Sequence, residues 1–143
     1  MRLLIPFLVA ALACAATANA AEMERIEITA KVVRRTTVPL PPKGREGDAE
    51  TARWLVRDRA GDVIGDMLID CRWVTSGLRL CVGQLAMPLG AIAVVGASRT
   101  RFLGALAVVG GTGRYIGADG MLLFKATGTG RYVLSISYIK EAP

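Results

Sequence analysis

The stretch LAVVGGTGRYIGADG, residues 106–120, decides between two folds. An apolar strand followed by a glycine-rich turn occurs in dinucleotide-binding proteins, where the glycines let the backbone approach a pyrophosphate at a helix N-terminus. Such a site needs a helix after the turn and then a second strand. Two short strand-like segments follow here instead, MLLFKAT and RYVLSISYIK, separated by Gly128, Thr129 and Gly130. The stretch therefore predicts a turn between antiparallel strands and not a nucleotide site.

Turn signals recur at short intervals outward from this stretch, and helical periodicity is nearly absent beyond the N-terminus. Ile26, Ile28, Ala30 and Val32 alternate with polar residues, which predicts a first strand with one buried face. Further strands are predicted near residues 52–58, 63–74, 78–85, 90–97, 102–109, 119–127 and 130–140. An open sheet of eight strands would leave exposed edges. We therefore predict an all-β chain that forms a single antiparallel eight-stranded β-barrel, with a β-sandwich as the alternative.

Residues 34–50 predict a long loop. Prolines and glycines stand there among charged residues: Pro39, Pro41, Pro42, Gly44 and Gly47. Because proline cannot donate to a sheet ladder, this segment is not expected in a central strand. At a barrel mouth such a loop would act as a cap.

The N-terminus predicts export. A basic start at Arg2 precedes the apolar run LLIPFLVAALACAATA, and Ala18-Asn19-Ala20 is a small-residue cleavage site. Residues 1–20 are therefore predicted to be a signal peptide cleaved after Ala20, which leaves one β-barrel domain over residues 21–143 in the periplasm or outside the cell. The run is short for a membrane span. Cys14 offers a lipoprotein alternative, but Leu12 lies one position off the usual lipobox order.

The charge is mildly basic and dispersed. The chain has 18 Lys and Arg against 12 Asp and Glu, and removal of Arg2 with the signal peptide leaves 17 − 12 = +5. No long basic run and no interleaved aromatic stripe of the kind used by nucleic-acid grooves is present. We therefore expect neither a nucleic-acid partner nor a membrane span.

Two cysteines remain after the signal peptide, and an even number in an oxidising compartment suggests a bridge. Thr75-Ser76-Gly77 is turn-like, and pairing Val74 with Leu78 places Trp73 opposite Arg79 and Cys71 opposite Cys81. Directly opposed residues on one sheet face are close enough for a disulfide. Two buried thiols are the alternative. No metal site is predicted, because the chain has no histidine and two thiols do not complete a zinc shell.

The lack of histidine also removes the Ser-His-Asp and Cys-His nucleophile systems. Period-two spacing puts Asp66, Asp70 and Arg72 on one side of a strand, opposite Met67, Ile69, Cys71 and Trp73, which are expected to face the interior. The first three side chains form either a solvated outer face or an acid–base set, and they are the candidates for a catalytic role. The candidates for ligand binding are the aromatic side chains Trp54, Trp73, Tyr115, Tyr132 and Tyr138, for which core packing is the alternative.

The segment VVGGTGRY, with Gly117 and Gly120 and a closing strand pair, resembles the C-terminal half of dirigent proteins. Gly65 and Asp66 before an apolar strand also resemble this group and the related allene oxide cyclases. The resemblance covers about residues 63–140. It implies an eight-stranded barrel around an apolar pocket, a homotrimer and no cofactor. Asp119 departs from the pattern, since dirigent proteins commonly have arginine there.

Two further points bear on the transfer of function. Allene oxide cyclases have an acidic residue near the end of the first strand, whereas residues 31–35 here are Lys-Val-Val-Arg-Arg. The GGTG turn is interpreted as structural, with Gly110, Gly111 and Gly113 at positive φ and Thr112 bonding the turn backbone.

Two functional hypotheses follow. The first is a secreted barrel that binds a small apolar molecule and steers its cyclisation or coupling without a cofactor, in the manner of an isomerase. The second is a non-catalytic binding or interaction barrel of the cell envelope. A pocket of about 300 Å³ or more with converging polar groups favours the first, and an interior filled by side chains favours the second.

Overall fold

Eight strands close into one antiparallel barrel in a computed structural model, which describes residues 21–39 and 46–140. The strands are β1 (Met23–Val38), β2 (Ala49–Arg57), β3 (Val63–Thr75), β4 (Leu78–Met87), β5 (Gly90–Ser98), β6 (Leu103–Gly111), β7 (Asp119–Gly128) and β8 (Arg131–Ile139). Each strand pairs with the next in sequence, and β8 pairs with β1 to close the sheet. The predicted eight-stranded barrel is confirmed, and the sandwich alternative is wrong.

Period-two alternation fills the barrel with apolar side chains. Along β3, for example, Met67, Ile69 and Cys71 are buried while Leu68 and Asp70 are exposed. Large side chains from six other strands are almost completely buried: Val56, Leu85, Ile92, Leu106, Val108, Leu122, Leu134, Ile136 and Tyr138. Burial at this density makes the barrel interior a packed core.

The connection between β1 and β2 is shorter than the loop predicted over residues 34–50, because both ends of that segment belong to strands. Residues 34–38 continue β1, and Ala49 and Glu50 begin β2, with Thr37 opposite Glu50. Two strands can pair here because Pro39 follows the last paired residue of β1 and removes no ladder hydrogen bond. Gly47 lies in the turn with φ of +87°. Pro41, Pro42 and Gly44 lie outside the described residues.

A β-bulge at Val33 changes which arginine faces inward. The pairing between β1 and β2 steps from Val32 opposite Trp54 to Arg34 opposite Arg53. One extra residue in a strand transfers the following side chains to the opposite face. Arg35 therefore lies opposite the buried Ala52, on the interior side, although simple alternation from Val32 would have placed Arg34 there.

The hairpin between β3 and β4 carries a disulfide between Cys71 and Cys81. The predicted pairs of Trp73 with Arg79 and of Cys71 with Cys81 are confirmed. The predicted pair of Val74 with Leu78 is wrong, because Leu78 lies opposite Thr75 and Val74 is the extra residue of a bulge.

The glycine-rich stretch forms a tight connection between β6 and β7 that includes a single 3₁₀ turn, Gly113–Tyr115. Gly110 and Gly113 have φ of +143° and +58°, as predicted. The prediction of positive φ at Gly111 is wrong. Gly111 is required for space instead, since a Cβ atom there would lie 2.5 Å from the Ala91 carbonyl oxygen and 2.6 Å from that of Tyr115.

Thr112 joins this connection to the start of β5. Its Oγ1 accepts a hydrogen bond of 3.1 Å from the Ala91 amide, and its own amide donates one of 2.8 Å to the Ala91 carbonyl. No dinucleotide-type helix follows the glycines, because residues 119–128 form β7.

Within the described part of the chain, no helix has the length and apolarity needed to cross a membrane. The predicted signal peptide over residues 1–20, including Cys14, lies outside that part.

Candidate functional site at the Glu50 mouth

Three of the five aromatic candidates gather near one end of the barrel. Trp54 and Tyr132 stack with ring centroids 4.5 Å apart and planes 12° from parallel, and Phe124 contacts Tyr132 edge-on at 6.4 Å. Trp73 lies nearer the end of the barrel, where the Arg79 guanidinium sits 5.9 Å from its ring centroid. Strand order explains the grouping, because β1 and β3 end here while β2, β4 and β8 begin here.

A buried carboxylate lies beside these rings. Glu50 is 5% exposed, and its Oε1 atom lies 3.6 Å from Arg35 Nε and 3.5 Å from Arg79 Nη1. Its Oε2 atom contacts Arg101 Nη2. Arg79 is equally buried, at 6% exposure, whereas Arg35 and Arg101 are partly open to solvent. We call this end of the barrel, with Glu50 and its three arginines, the Glu50 mouth.

Two N–H groups in the mouth have no hydrogen-bond acceptor in the described part of the chain. They are Trp54 Nε1 and Arg79 Nε, and both side chains line an enclosed space of about 20 Å³ next to Glu50. That space is large enough for one water molecule. Burial lowers the pKa of the Arg79 guanidinium, and Glu50 opposes this effect.

A half-open groove of about 380 Å³ lies next to the enclosed space and shares Arg101 with it. Trp73, Phe102 and Arg99 line the groove together with Arg101. The turn between β5 and β6 supports one wall, because the Thr100 carbonyl accepts hydrogen bonds from Arg79 Nη2 at 3.0 Å and from the Ser98 hydroxyl at 2.6 Å. Phe102 is 72% exposed, so its ring is free to contact a ligand.

Tyr115 and Tyr138, the other two aromatic candidates, lie at the opposite end of the barrel. Their rings meet edge-on at 5.9 Å, and the Tyr138 hydroxyl donates a 2.6 Å hydrogen bond to Glu24 Oε2. Lys140 Nζ lies 2.7 Å from Glu24 Oε1. The hydrogen bonds from Lys140 and Tyr138 lower the pKa of Glu24 to about 2, whereas burial and the Glu24 charge raise the pKa of Tyr138.

The three candidates for a catalytic role, Asp66, Asp70 and Arg72, all lie on the outer face of the barrel. Asp66 Oδ2 accepts a 2.8 Å hydrogen bond from Arg53 Nε, and Asp70 accepts one from the Thr51 hydroxyl. Asp70 and Arg72 line an open outer groove of about 650 Å³, whose other walls are mainly apolar. These three side chains do not converge with the aromatic residues of the Glu50 mouth.

Sequence reasoning missed the charged residues of the mouth. A signal for Arg79 was present, because a residue opposite the inward Trp73 must itself face inward. Glu50 was assigned to a loop, although Glu50, Ala52, Trp54 and Val56 follow period two. In residues 21–39 and 46–140, no group of three His, Cys, Asp or Glu side chains could hold a metal ion.

The chain matches no protein-family model and no curated protein sequence. It is similar to solved structures. A pyocyanin demethylase superposes with a TM-score of 0.75 at 16% identity, over 80% of this chain and 99% of that one. For the Diels–Alderase AbmU from Streptomyces koyangensis the TM-score is 0.67 at 18% identity, over 87% and 71% of the two chains.

The pterocarpan synthase dirigent protein GePTS1 superposes with a TM-score of 0.65 at 13% identity, over 83% of this chain and 87% of that one. The chain therefore has the barrel fold of dirigent proteins and of Diels–Alderases. The resemblance predicted from residues 63–140 is confirmed for the fold.

Proposed function

We propose that the Glu50 mouth binds a small molecule with a flat apolar body and steers its cyclisation by confinement. The observation that carries this proposal is the groove of about 380 Å³ lined by Trp73 and Phe102. Its size falls in the range of small-molecule sites, roughly 300–1,000 Å³. An aromatic wall binds a planar ligand through apolar contact and ring stacking.

Ring closure suits such a site. A cyclisation that converts one molecule into its isomer only rearranges bonds within that molecule, so it balances without an oxidant. Fixing the reacting atoms close together lowers the entropic part of the barrier without a dedicated acid or base. Oxidative coupling of two molecules would need an oxidant from elsewhere, and for that reason we favour cyclisation. The protein would then act as an isomerase-like cyclase.

The test uses trans-cinnamyl alcohol as a neutral planar probe. Both tryptophans of the chain line the mouth, so tryptophan fluorescence reports on this site. We expect a saturable change and, in Phe102→Ala, binding weakened by about fivefold, the loss typical of truncating a contact residue. Ile116→Ala is the matched control, because Ile116 is 70% exposed near the opposite end. Absence of saturable binding would contradict the proposal.

A non-catalytic binding barrel is the second candidate. The observation in its favour is the packed interior, where the space beside Glu50 is only about 20 Å³. Native mass spectrometry of freshly purified protein should reveal the bound molecule in either case. Incubation of that molecule with fresh protein then decides, since a cyclase converts it to an isomer of equal mass and a binding protein returns it unchanged.

We also propose that copies of the chain associate through the outer groove, in keeping with the trimer that the resemblance implies. Leu80, Val82 and Val95 are 52%, 55% and 38% exposed there, and Asp70 and Arg72 supply opposite charges on the same surface. A patch that carries both charges is complementary to another copy of itself.

Export is the last part of the proposal, supported by the basic start, apolar run and cleavage site of residues 1–20. Expressed with its own N-terminus, the protein should be recovered from the periplasm or the medium with Ala21 as its first residue. Recovery of the intact N-terminus from the cytoplasm would contradict it.

A further inference from the structure

We propose that the ligand of the Glu50 mouth is an organic acid, whose carboxylate is bound by Arg101 and Arg35 with one oxygen atom directed towards the buried N–H groups beside Glu50. This inference rests on the proposed function, because it names the chemical class of the molecule bound in the same groove. It draws on different observations, namely charge and unsatisfied donors, whereas the proposed function draws on the aromatic wall.

Charge in the mouth is unbalanced. Among the described residues, the enclosed space and the groove together are lined by Arg35, Arg79, Arg99 and Arg101 against Glu50 and Asp48, which gives 4 − 2 = +2. Glu50 lies within ion-pair distance of three of these arginines, Arg35, Arg79 and Arg101. The buried pair Glu50 and Arg79 is balanced, so the excess lies on Arg35, Arg99 and Arg101, which are partly or fully exposed and from there attract an anion.

The unsatisfied donors point to an oxygen acceptor at the same place. Trp54 and Arg79 are each 6% exposed, and among the described residues neither Trp54 Nε1 nor Arg79 Nε has an acceptor. Glu50 Oε2 contacts Arg101 without the geometry of a hydrogen bond. A buried N–H group without an acceptor destabilises the fold, so these two groups call for an oxygen atom from outside the described residues. A water molecule fits the enclosed space, but it carries no charge and leaves the excess of +2 in place.

Arg101 provides the route between the two spaces. Its side chain is 39% exposed, borders both the enclosed space and the groove, and contacts Glu50 Oε2. A guanidinium has five N–H donors and can bind one carboxylate while it remains close to another. A carboxylate at Arg101 would place the attached apolar body in the groove, next to Trp73 and Phe102.

The experiment compares trans-cinnamate with trans-cinnamyl alcohol, which have the same planar body and differ in charge. We expect cinnamate to bind at least about tenfold more tightly by tryptophan fluorescence. Arg101→Gln and Arg35→Gln should reduce that preference to about twofold or less while binding of the alcohol is retained. Arg59→Gln is the matched control, because Arg59 is an exposed arginine between β2 and β3 at the opposite end of the barrel, and this variant should keep the full preference.

Glu50→Gln should act in the opposite direction. Loss of the competing carboxylate leaves more cationic charge for the ligand, so cinnamate should bind more tightly than to the wild-type protein. General damage to the site would weaken the binding of cinnamate and of cinnamyl alcohol equally. Equal binding of acid and alcohol would overturn this inference and leave the proposed function intact, whereas failure of both probes to bind would overturn both.

Discussion

Tyr138 is the residue whose contacts give the clearest dependence of stability on pH. Its buried hydroxyl donates to Glu24. Hydrogen bonds from Lys140 and Tyr138 lower the pKa of Glu24 from 4.5 to about 2, and burial together with the hydrogen bond to Glu24 raises the pKa of Tyr138. Stability from Glu24 is present above pH 4.5 and lost as the pH falls towards 2. Stability from Tyr138 is present below its ordinary pKa of 10 and is lost as the pH rises beyond that value.

We expect Tyr138→Phe to lower the free energy of unfolding at neutral pH by about 1.5–3 kcal/mol, the usual contribution of a hydrogen bond to a charged group. The alkaline loss of stability should vanish in this variant, and the acid loss should shrink. Denaturant unfolding across the pH range measures both effects. Tyr115→Phe is the control, because within residues 21–39 and 46–140 the Tyr115 hydroxyl makes only a long contact to the Met87 sulfur, 4.0 Å. Equal effects of the two substitutions would contradict the assignment.

Single residues also show where prediction from sequence fails. Period two predicted the inward face of β3 correctly, because each residue of a regular strand reverses the direction of its side chain. The bulge at Val33 breaks that rule and turns Arg35 inward. Such a bulge is set by how β1 pairs with β2, and the local sequence does not reveal that pairing. The inward position of Arg35 beside Glu50 could therefore not be predicted.

At the scale of the element, the hairpin of β3 and β4 owes part of its stability to Cys71 and Cys81. These residues are separated by ten positions, and closing so short a loop contributes about 2–3 kcal/mol, mainly by restricting the unfolded chain. Cys71→Ser should lower the melting temperature, and the oxidised protein should be lighter than the reduced form by two hydrogens. Labelling of both thiols in native, non-reduced protein would contradict this prediction.

The connection between β6 and β7 is the second element that can be tested. Alanine at Gly111 would place its Cβ atom against two carbonyl oxygens, and overpacking of this kind costs about 1–3 kcal/mol. Gly128→Ala is the matched control, since a Cβ atom there meets nothing within 4 Å. Thermal unfolding measures the difference. NAD, NADP and ATP should leave the melting temperature unchanged, and a saturable increase would mean that the connection binds nucleotides after all.

At the scale of the whole molecule, closure was predictable and the pocket was not. Eight short strands joined by hairpin turns can pair the backbone groups of the first and last strands by closing into a barrel. The barrel therefore follows from the number of strands and their spacing. How much free space remains inside depends on how side chains from all eight strands fit together. Here Tyr138, Met67 and Leu85 help to fill the interior, and a groove of about 380 Å³ lies at the Glu50 mouth instead.

A closed barrel offers a partner no unpaired strand edge, which leaves its outer face and its two ends for association. We expect the protein to self-associate through the apolar groove, and Leu80→Lys to yield a folded monomer because a charge would be buried at the contact. Ile116→Lys adds the same charge at an exposed position outside the groove and should leave association unchanged. Sedimentation velocity over a range of concentrations measures the mass. A wild-type monomer at every concentration, or dissociation by both variants alike, would show that the groove is not an interface between copies.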